Sequence, residues 1–142
     1  MINNSIDYSW EEKVILIVED DSPNYLYFKS LLKKTKARIV WKKNGTEALD
    51  FIKDPENTFD LIIMDVLIPF INGIEVTRES KKLRKNIPVL VVTAYTSKEV
   101  REKCFLAGCD EFITKPVLPA RLIELLAEYF HEKKDVSSYQ MY

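Results

Sequence analysis

Five short segments rich in branched apolar side chains recur along the chain, and a stretch with helical spacing of apolar residues follows each of them. Continuous apolar runs of this length are typical of parallel strands that are covered on both faces. We predict strands over residues 14–18, 38–41, 61–64, 88–92 and 111–114. Strand–helix alternation repeated five times indicates an α/β fold, with a parallel five-stranded sheet between two layers of helices.

The stretches between these strands predict five helices. Asp21 or Ser22 can cap the first helix, whose apolar positions are Tyr27, Phe28, Leu31 and Leu32. The next three are expected over 47–52, from after Gly73 to about Leu83, and over 97–107, where Gly108 can end the helix in the left-handed conformation. The last runs from 118 to about 132, with an apolar stripe of Leu122, Ile123, Leu125, Leu126, Tyr129 and Phe130.

The chain's 142 residues, 46% of them hydrophobic, are enough for one domain with one continuous core. We assign residues 1–12 to a leader or linker, in which Trp10 could pack on the domain edge, 13–132 to the domain and 133–142 to a tail. A net charge of −1 gives no global attraction for nucleic acid or a membrane. The longest apolar run, 14–18, is too short to span a bilayer, and no signal peptide is visible.

The two cysteines argue against a zinc site. Cys104 and Cys109 form no CxxC pair, and the chain has a single histidine. We expect both cysteines to be reduced, partly or fully buried thiols, and we expect the protein to be cytoplasmic.

Polar side chains stand where four of the five strands end. In parallel sheets, function sits beyond the carboxyl ends of the strands, and neighbouring strands lie about 4.8 Å apart. If strands one, three, four and five are adjacent, their end residues meet in one pocket. These residues are Glu19, Asp20 and Asp21 after strand one, Asp65 after strand three, Thr93 after strand four and Lys115 after strand five.

This set of side chains fits phosphoryl transfer. Crowded carboxylates repel one another, and Mg²⁺, which prefers carboxylate oxygens and partners phosphates, relieves the repulsion. Lys115 adds a positive charge and Thr93 a hydroxyl, which together suit an anion with several oxygens. The acceptor should be a carboxylate, and Asp65 lies centrally. Each residue alone is more often a helix cap or turn former, so the prediction depends on their joint placement.

The chain resembles the receiver domains of two-component response regulators from about residue 14 to residue 131. The segments that carry the resemblance are Val18-Glu19-Asp20-Asp21, Met64-Asp65-Val66 with Pro69 and Gly73, Val92-Thr93-Ala94, and Phe112-Ile113-Thr114-Lys115-Pro116. The resemblance implies a flavodoxin-like fold with strand order 2-1-3-4-5. It also implies that Asp65 takes a phosphoryl group from a phosphohistidine on a histidine kinase or a histidine phosphotransfer protein.

The resemblance further implies a Mg²⁺ site. Asp20 would bind the ion directly and Glu19 through water, while Asp65 and the backbone carbonyl of Leu67 would complete the protein ligands. Such a receiver catalyses its own phosphorylation and dephosphorylation, and whether it counts as an enzyme is left open. Glu19 departs from the more common Asp, a variant that should preserve metal binding.

A conformational switch is also implied. Thr93 would move toward the phosphoryl group, Phe112 would turn inward after it, and Lys115 would pair with a phosphoryl oxygen. The Lys115–Pro116 peptide is expected to be cis. Phe112 replaces a more common Tyr and lacks its hydroxyl. Leu67 and Tyr95 border the path of the attacking water in such domains, and because both are bulky we expect slow self-dephosphorylation.

The surroundings of the domain suggest its partners. About ten residues follow the last helix, so we expect a stand-alone receiver or a piece of a larger protein. Residues 8–13 resemble the linker before the carboxy-terminal receiver of hybrid sensor histidine kinases, and we expect the protein to be bacterial. Tyr25 and Leu26, extended by Phe70 and Ile71, would dock a helical histidine-bearing partner. Alternatively, Tyr25 and Leu26 pack against the leader.

Two other functions fit less well. A pseudo-receiver, which would be a phosphorylation-independent interaction module, should lack site residues, and none is missing. A haloacid-dehalogenase-type phosphatase would need a second Asp at the position of Leu67. We expect a monomer or a weak homodimer that pairs through the face of the fourth strand and fifth helix. We expect no direct nucleic-acid partner.

Overall fold

The computed structural model describes residues 8–139, and for residues 131–139 it describes the backbone alone. The strands are β1 (Val14–Val18), β2 (Arg38–Lys42), β3 (Leu61–Met64), β4 (Val89–Thr93) and β5 (Glu111–Thr114). The helices are α1 (Ser22–Leu32), α2 (Gly45–Lys53), α3 (Gly73–Leu83), α4 (Lys98–Ala107) and α5 (Pro119–Tyr139), with a 3₁₀ turn over Lys33–Thr35. The strands form one parallel sheet in the order β2-β1-β3-β4-β5, which confirms the predicted fold.

Alternation along each strand divides the core into two layers. In the first core layer, Leu16, Val18, Ile62 and Met64 pack against helices α2, α3 and α4. In the second core layer, the alternate side chains of the same strands pack against Phe28 of α1 and the buried stripe of α5. Burial of each such side chain contributes roughly 1.5–3 kcal/mol, so both faces of the sheet must be covered. This need explains why the central strands are apolar without interruption.

The register of the sheet brings the strand ends to one edge. Val18 of β1 pairs with Met64 of β3, so the residues that follow them leave the sheet side by side. Thr93 at the end of β4 pairs with Thr114 of β5. The polar residues that were predicted to meet therefore extend from neighbouring positions at the carboxyl edge.

Trp10 belongs to the core rather than to a separate leader. Its side chain is buried, its backbone N–H donates to the carbonyl of Thr35 at 2.6 Å, and its ring meets Phe130 edge-on at 4.9 Å. The proposed domain start at residue 13 therefore excludes a side chain on which the second core layer packs. Residues 1–7 of the proposed leader and 140–142 of the proposed tail lie outside the described residues, and α5 continues past its predicted end near 132.

Two predictions about buried side chains had different outcomes. Tyr27 was placed in the core stripe of α1, but it is 41% exposed, and its hydroxyl donates to the carbonyl of Val117 at 2.6 Å. The phenol needs a polar partner, and it finds one in the carbonyl of Val117, in the segment after β5. Cys104 and Cys109 are both buried free thiols, as predicted.

Among the described residues, no helix is long and apolar enough to cross a membrane.

Candidate functional site

Asp65 occupies the centre of the carboxyl edge. It directly follows β3, is mostly buried, and is anchored by its backbone N–H, which donates to the carbonyl of Val18 at 3.1 Å. Its Oδ1 accepts a hydrogen bond from Thr93 Oγ1 at 2.7 Å, and its Oδ2 accepts one from Lys115 Nζ at 2.8 Å. The three residues that were predicted to converge from strands three, four and five are therefore in direct contact.

Glu19 is the most deeply buried acid of the site. Only 1% of the residue is exposed, and its Oε1 accepts from Lys115 Nζ at 2.6 Å while its Oε2 accepts from the backbone N–H of Asp21 at 3.2 Å. Asp21 itself caps α1, because its side chain accepts from the N–H of Asn24. Of the three consecutive acids, Glu19 and Asp20 therefore lie in the pocket, and Asp21 caps α1.

Lys115 bridges two carboxylates, those of Glu19 and Asp65. Burial raises the pKa of the Glu19 carboxyl above its usual value, and the ammonium of Lys115 offsets this effect only in part. Burial by itself would lower the pKa of Lys115, but its hydrogen bonds to Asp65 and Glu19 raise that pKa. The ammonium is therefore held in its charged form, and it offsets part of the negative charge of the two carboxylates that share it.

The same carboxylates fit a divalent cation. Glu19, Asp20 and Asp65 each offer an oxygen atom, and these atoms all lie within 4.8 Å of one another. The donors are all carboxylate oxygens, which suits a hard cation such as Mg²⁺. Lys115 offsets only part of the negative charge of these three acids, so the cluster can still attract a cation, which would compete with the ammonium for Glu19 and Asp65.

Thr93 and Phe112 occupy positions that suit a switch. The Thr93 hydroxyl is buried, donates to Asp65 and accepts from the backbone N–H of Tyr95 at 3.1 Å. Phe112 is half-buried at the edge of the first core layer, and the Arg101 guanidinium lies 5.7 Å from its ring centroid. The Lys115–Pro116 peptide is cis, as expected.

The loop after β3 is held by two close backbone contacts. A Cβ atom on Gly73 would lie 2.0 Å from the carbonyl oxygen of Asp65, and one on Gly45 would lie 1.9 Å from that of Ile71. Both positions therefore require glycine for space. The sequence placed Gly73 in this loop but gave no sign that it touches the acceptor's own backbone.

The predicted docking residues differ in exposure. Leu26 is 56% exposed and Phe70 is 84% exposed, as a contact surface requires. Tyr25 is half-buried and stacks on Trp41 with the ring centroids 3.8 Å apart, and Ile71 packs against the first core layer. Trp41 therefore covers one face of the Tyr25 ring, which leaves less of this side chain for a partner than the docking prediction implied.

Trp41 is a contact of the site that the sequence did not predict. Its indole Nε1–H donates to the backbone carbonyl of Glu19 at 2.7 Å. The sequence signal for this contact is a tryptophan near the carboxyl end of the second strand, beside the acids that follow the first. A cavity of about 560 Å³ adjoins the site, between α1 and the segment after β5, and reaches Lys115.

The chain has relatives of two architectures. It is 33% identical over 135 residues to hybrid signal transduction histidine kinase I of Dictyostelium discoideum, which covers 87% of the chain but only 8% of that kinase. It is 37% identical over 120 residues to the polar-differentiation response regulator DivK of Brucella anthropi, covering 82% of the chain and 95% of the regulator. The chain therefore corresponds to a small part of the first and to nearly all of the second.

Solved structures agree with these matches. A CheY-like response regulator receiver domain protein from Methanospirillum hungatei superposes with a TM-score of 0.80 at 31% identity, over 87% of this chain and 97% of its own. The receiver domain of sensor histidine kinase PA1611 from Pseudomonas aeruginosa, with a magnesium ion coordinated in its active-site cleft, superposes with a TM-score of 0.74 at 27% identity, over 82% and 96%.

The family match covers most of the chain. Residues 15–127 match the response regulator receiver domain, and this span contains Glu19, Asp20, Asp65, Thr93 and Lys115. Fold, strand order and acidic pocket agree with it. The chain belongs to the response regulator receiver domain family, the phosphoacceptor modules of two-component signalling.

Proposed function

We propose that Asp65 is the phosphoacceptor of this domain. The observation that carries the proposal is its carboxylate, which contacts Thr93 and Lys115 and lies in one oxygen cluster with Glu19 and Asp20. In the transfer, the P–N bond of a phosphohistidine breaks as an Asp65 oxygen forms a P–O bond, and the imidazole leaves with the electron pair. Such a transfer needs positioned donors around the acceptor, and here one is an ammonium and the other a hydroxyl.

Glu19, Asp20 and Asp65, with the carbonyl of Leu67, are the residues that would hold Mg²⁺. When bound, the ion supplies positive charge for the phosphoryl oxygens. The magnesium-bound PA1611 receiver, whose fold this chain shares, supports the assignment. Lys115, which now bridges Glu19 and Asp65, is placed to turn one of its N–H donors toward a phosphoryl oxygen.

Thr93 and Phe112 are the proposed switch. In the unphosphorylated domain, Oδ1 of Asp65 accepts a hydrogen bond from the Thr93 hydroxyl. After phosphorylation, an oxygen of the phosphoryl group would be a more highly charged acceptor for that hydroxyl. A movement of Thr93 would then leave room beside Phe112. The half-buried ring, with Arg101 over it, is proposed to turn inward in response.

Leu67 and Tyr95 are proposed to slow hydrolysis of the phosphorylated state. Both side chains are exposed at the mouth of the site, at 60% and 44%. Neither carries an acid or amide that could orient an attacking water. Phospho-Asp65 should persist far longer than seconds with Mg²⁺ present, and Leu67→Asn should shorten its lifetime. A half-life of seconds in the unaltered protein would contradict this part of the proposal.

The partner is proposed to be a histidine kinase or histidine phosphotransfer protein that docks beside α1. Leu26 and Phe70 offer exposed apolar contacts, and a cavity beside α1 is lined by Lys115, whose ammonium contacts Asp65. Leu26→Ala and Phe70→Ala should slow phosphotransfer from such a protein but not from acetyl phosphate. Leu106→Ala on α4, where the side chain is 85% exposed, is the matched control.

Further aspects of the proposal concern the protein's context. We propose a cytoplasmic domain that acts as a monomer or weak homodimer without direct nucleic-acid contact. Its relatives include a separate regulator and a hybrid kinase of Dictyostelium discoideum, and we propose a bacterial hybrid kinase as the parent because residues 8–13 resemble the linker of such kinases. Size-exclusion chromatography with light scattering before and after phosphorylation tests the oligomeric state.

Acetyl phosphate with Mg²⁺ tests the central proposal. Intact-mass measurement should show one added phosphoryl group, which hydroxylamine removes, and Asp65→Asn should abolish it. Asp60→Asn is a control acid outside the pocket. Absence of phosphorylation in a folded protein, together with unchanged spectra on addition of beryllofluoride, would favour the pseudo-receiver.

A further inference from the structure

The backbone between the two metal-binding acids is held by the neighbouring strand. Glu19 lies one residue beyond β1, its N–H donates to the carbonyl of Lys42 at 3.1 Å, and its carbonyl accepts the indole N–H of Trp41 at 2.7 Å. That carbonyl belongs to the peptide plane that joins Glu19 to Asp20. Because a peptide unit is rigid, fixing its oxygen also fixes the direction in which the chain enters Asp20.

The indole is itself fixed by its neighbours. Tyr25 of α1 stacks on it almost in parallel, with an interplanar angle of 5° and centroids 3.8 Å apart. The ammonium of Lys43 lies 4.8 Å from the centroid of the same ring. An aromatic stack together with a cation–π contact leaves the indole little freedom to rotate away from Glu19.

From these contacts we infer that Trp41 is a positioning residue for the Glu19–Asp20 pair, and that Tyr25 holds Trp41 in place. The inference rests on the proposed Mg²⁺ site. It gives Tyr25 a role in supporting the metal site from outside instead of the partner contact expected from the sequence. Groups that orient metal ligands typically change metal affinity about 10–100-fold when they are lost.

Another interpretation is that Trp41 merely covers the edge strand. The two interpretations differ in the part of the side chain that matters. Trp41→Phe keeps an aromatic ring against Tyr25 but removes the N–H donor to Glu19. If covering were the only role, this variant should bind Mg²⁺ as the unaltered protein does.

The experiment is a Mg²⁺ titration of the full chain followed by ¹⁵N NMR. In the unaltered protein, the amide signals of Glu19 and Asp20 and the indole N–H signal of Trp41 should shift together. Trp41→Phe should weaken Mg²⁺ binding about tenfold. Trp10→Phe makes the same chemical change in a buried tryptophan that packs on Phe130, and it should leave the affinity unchanged.

Variants at Tyr25 test the second half of the inference. Tyr25→Leu should weaken Mg²⁺ binding and broaden the Trp41 indole signal, whereas Tyr25→Phe, which retains the stacking ring, should restore both. These variants also decide the matter if Trp41→Phe fails to fold.

The outcomes separate this inference from the proposed function. If neither the unaltered protein nor Trp10→Phe binds Mg²⁺, the proposed metal site is wrong and the inference falls with it. If both bind and folded Trp41→Phe binds equally well, only the positioning role is refuted.

Discussion

Replacing Lys115 by Met tests the electrostatic account of the site most directly. The substitution keeps an unbranched stem but removes the ammonium that bridges Glu19 and Asp65, where the three side chains are 15%, 2% and 10% exposed. Removing one partner of a buried ion pair typically costs about 3–5 kcal/mol, and the partial exposure of Lys115 favours the lower end. Without metal, a loss of about 3 kcal/mol should lower Tm by roughly 6–12 °C.

The loss of stability should depend on pH in a defined direction. Burial already raises the pKa of Glu19, and without the Lys115 ammonium that pKa must rise further. A carboxyl with a raised pKa binds protons more tightly when folded, so stability falls as pH rises from the unfolded value toward the folded one. The variant's deficit should therefore be largest at a pH well above the raised pKa of Glu19 and shrink as the pH falls and the carboxyl becomes protonated.

Mg²⁺ should partly restore the variant's stability. The ion no longer competes with an ammonium for the same carboxylates, so the rise in Tm on adding Mg²⁺ should exceed that of the unaltered protein. Thermal unfolding by circular dichroism, with EDTA or Mg²⁺ at two pH values, measures each effect. A loss of stability in Lys115→Met that changes with neither pH nor Mg²⁺ would refute the electrostatic account. Lys103→Met, which removes an exposed ion pair with Glu99, should cost under about 1 kcal/mol.

Two further substitutions or treatments test contacts described above. Gly73→Ala should destabilise the protein by about 1–3 kcal/mol, because its Cβ would lie 2.0 Å from the Asp65 carbonyl oxygen. The same substitution should weaken beryllofluoride binding. Thermal melts measure the loss of stability, and a titration measures the binding. Gly108→Asn, at a left-handed residue with φ 107°, should be tolerated better, and an equal loss at both sites would contradict the steric argument. Burial raises the pKa of the Cys104 and Cys109 thiols to about 11 and about 12, so iodoacetamide should label them only as the protein unfolds, and rapid labelling of native protein would count against this.

The strands were predictable because their sequence pattern has one physical cause. An uninterrupted branched apolar run suits a strand covered on both faces, and each such run is a strand. The ends of these runs then located the site, since parallel strands deliver their carboxyl ends to one edge. The order of the strands came from the family resemblance, because local patterns do not encode which strands are neighbours.

Side-chain roles on α1 were harder to predict. Residues 25–28 are four consecutive aromatic or apolar positions, so helical spacing alone cannot select the buried face. In the structure Phe28 is buried, Trp41 covers one face of the Tyr25 ring, and the partly exposed Tyr27 donates its hydroxyl to Val117. The indole contact with Glu19 depends on the register of β1 and β2, which the sequence does not specify.

The bridging ammonium of Lys115 also bears on the order of assembly. Because two of the three pocket acids already share an ammonium within the chain, part of their mutual repulsion is offset before any metal ion binds. We therefore expect the chain to fold in buffer without Mg²⁺. At the proposed metal site, ion binding would then be a separate equilibrium that follows the free Mg²⁺ concentration.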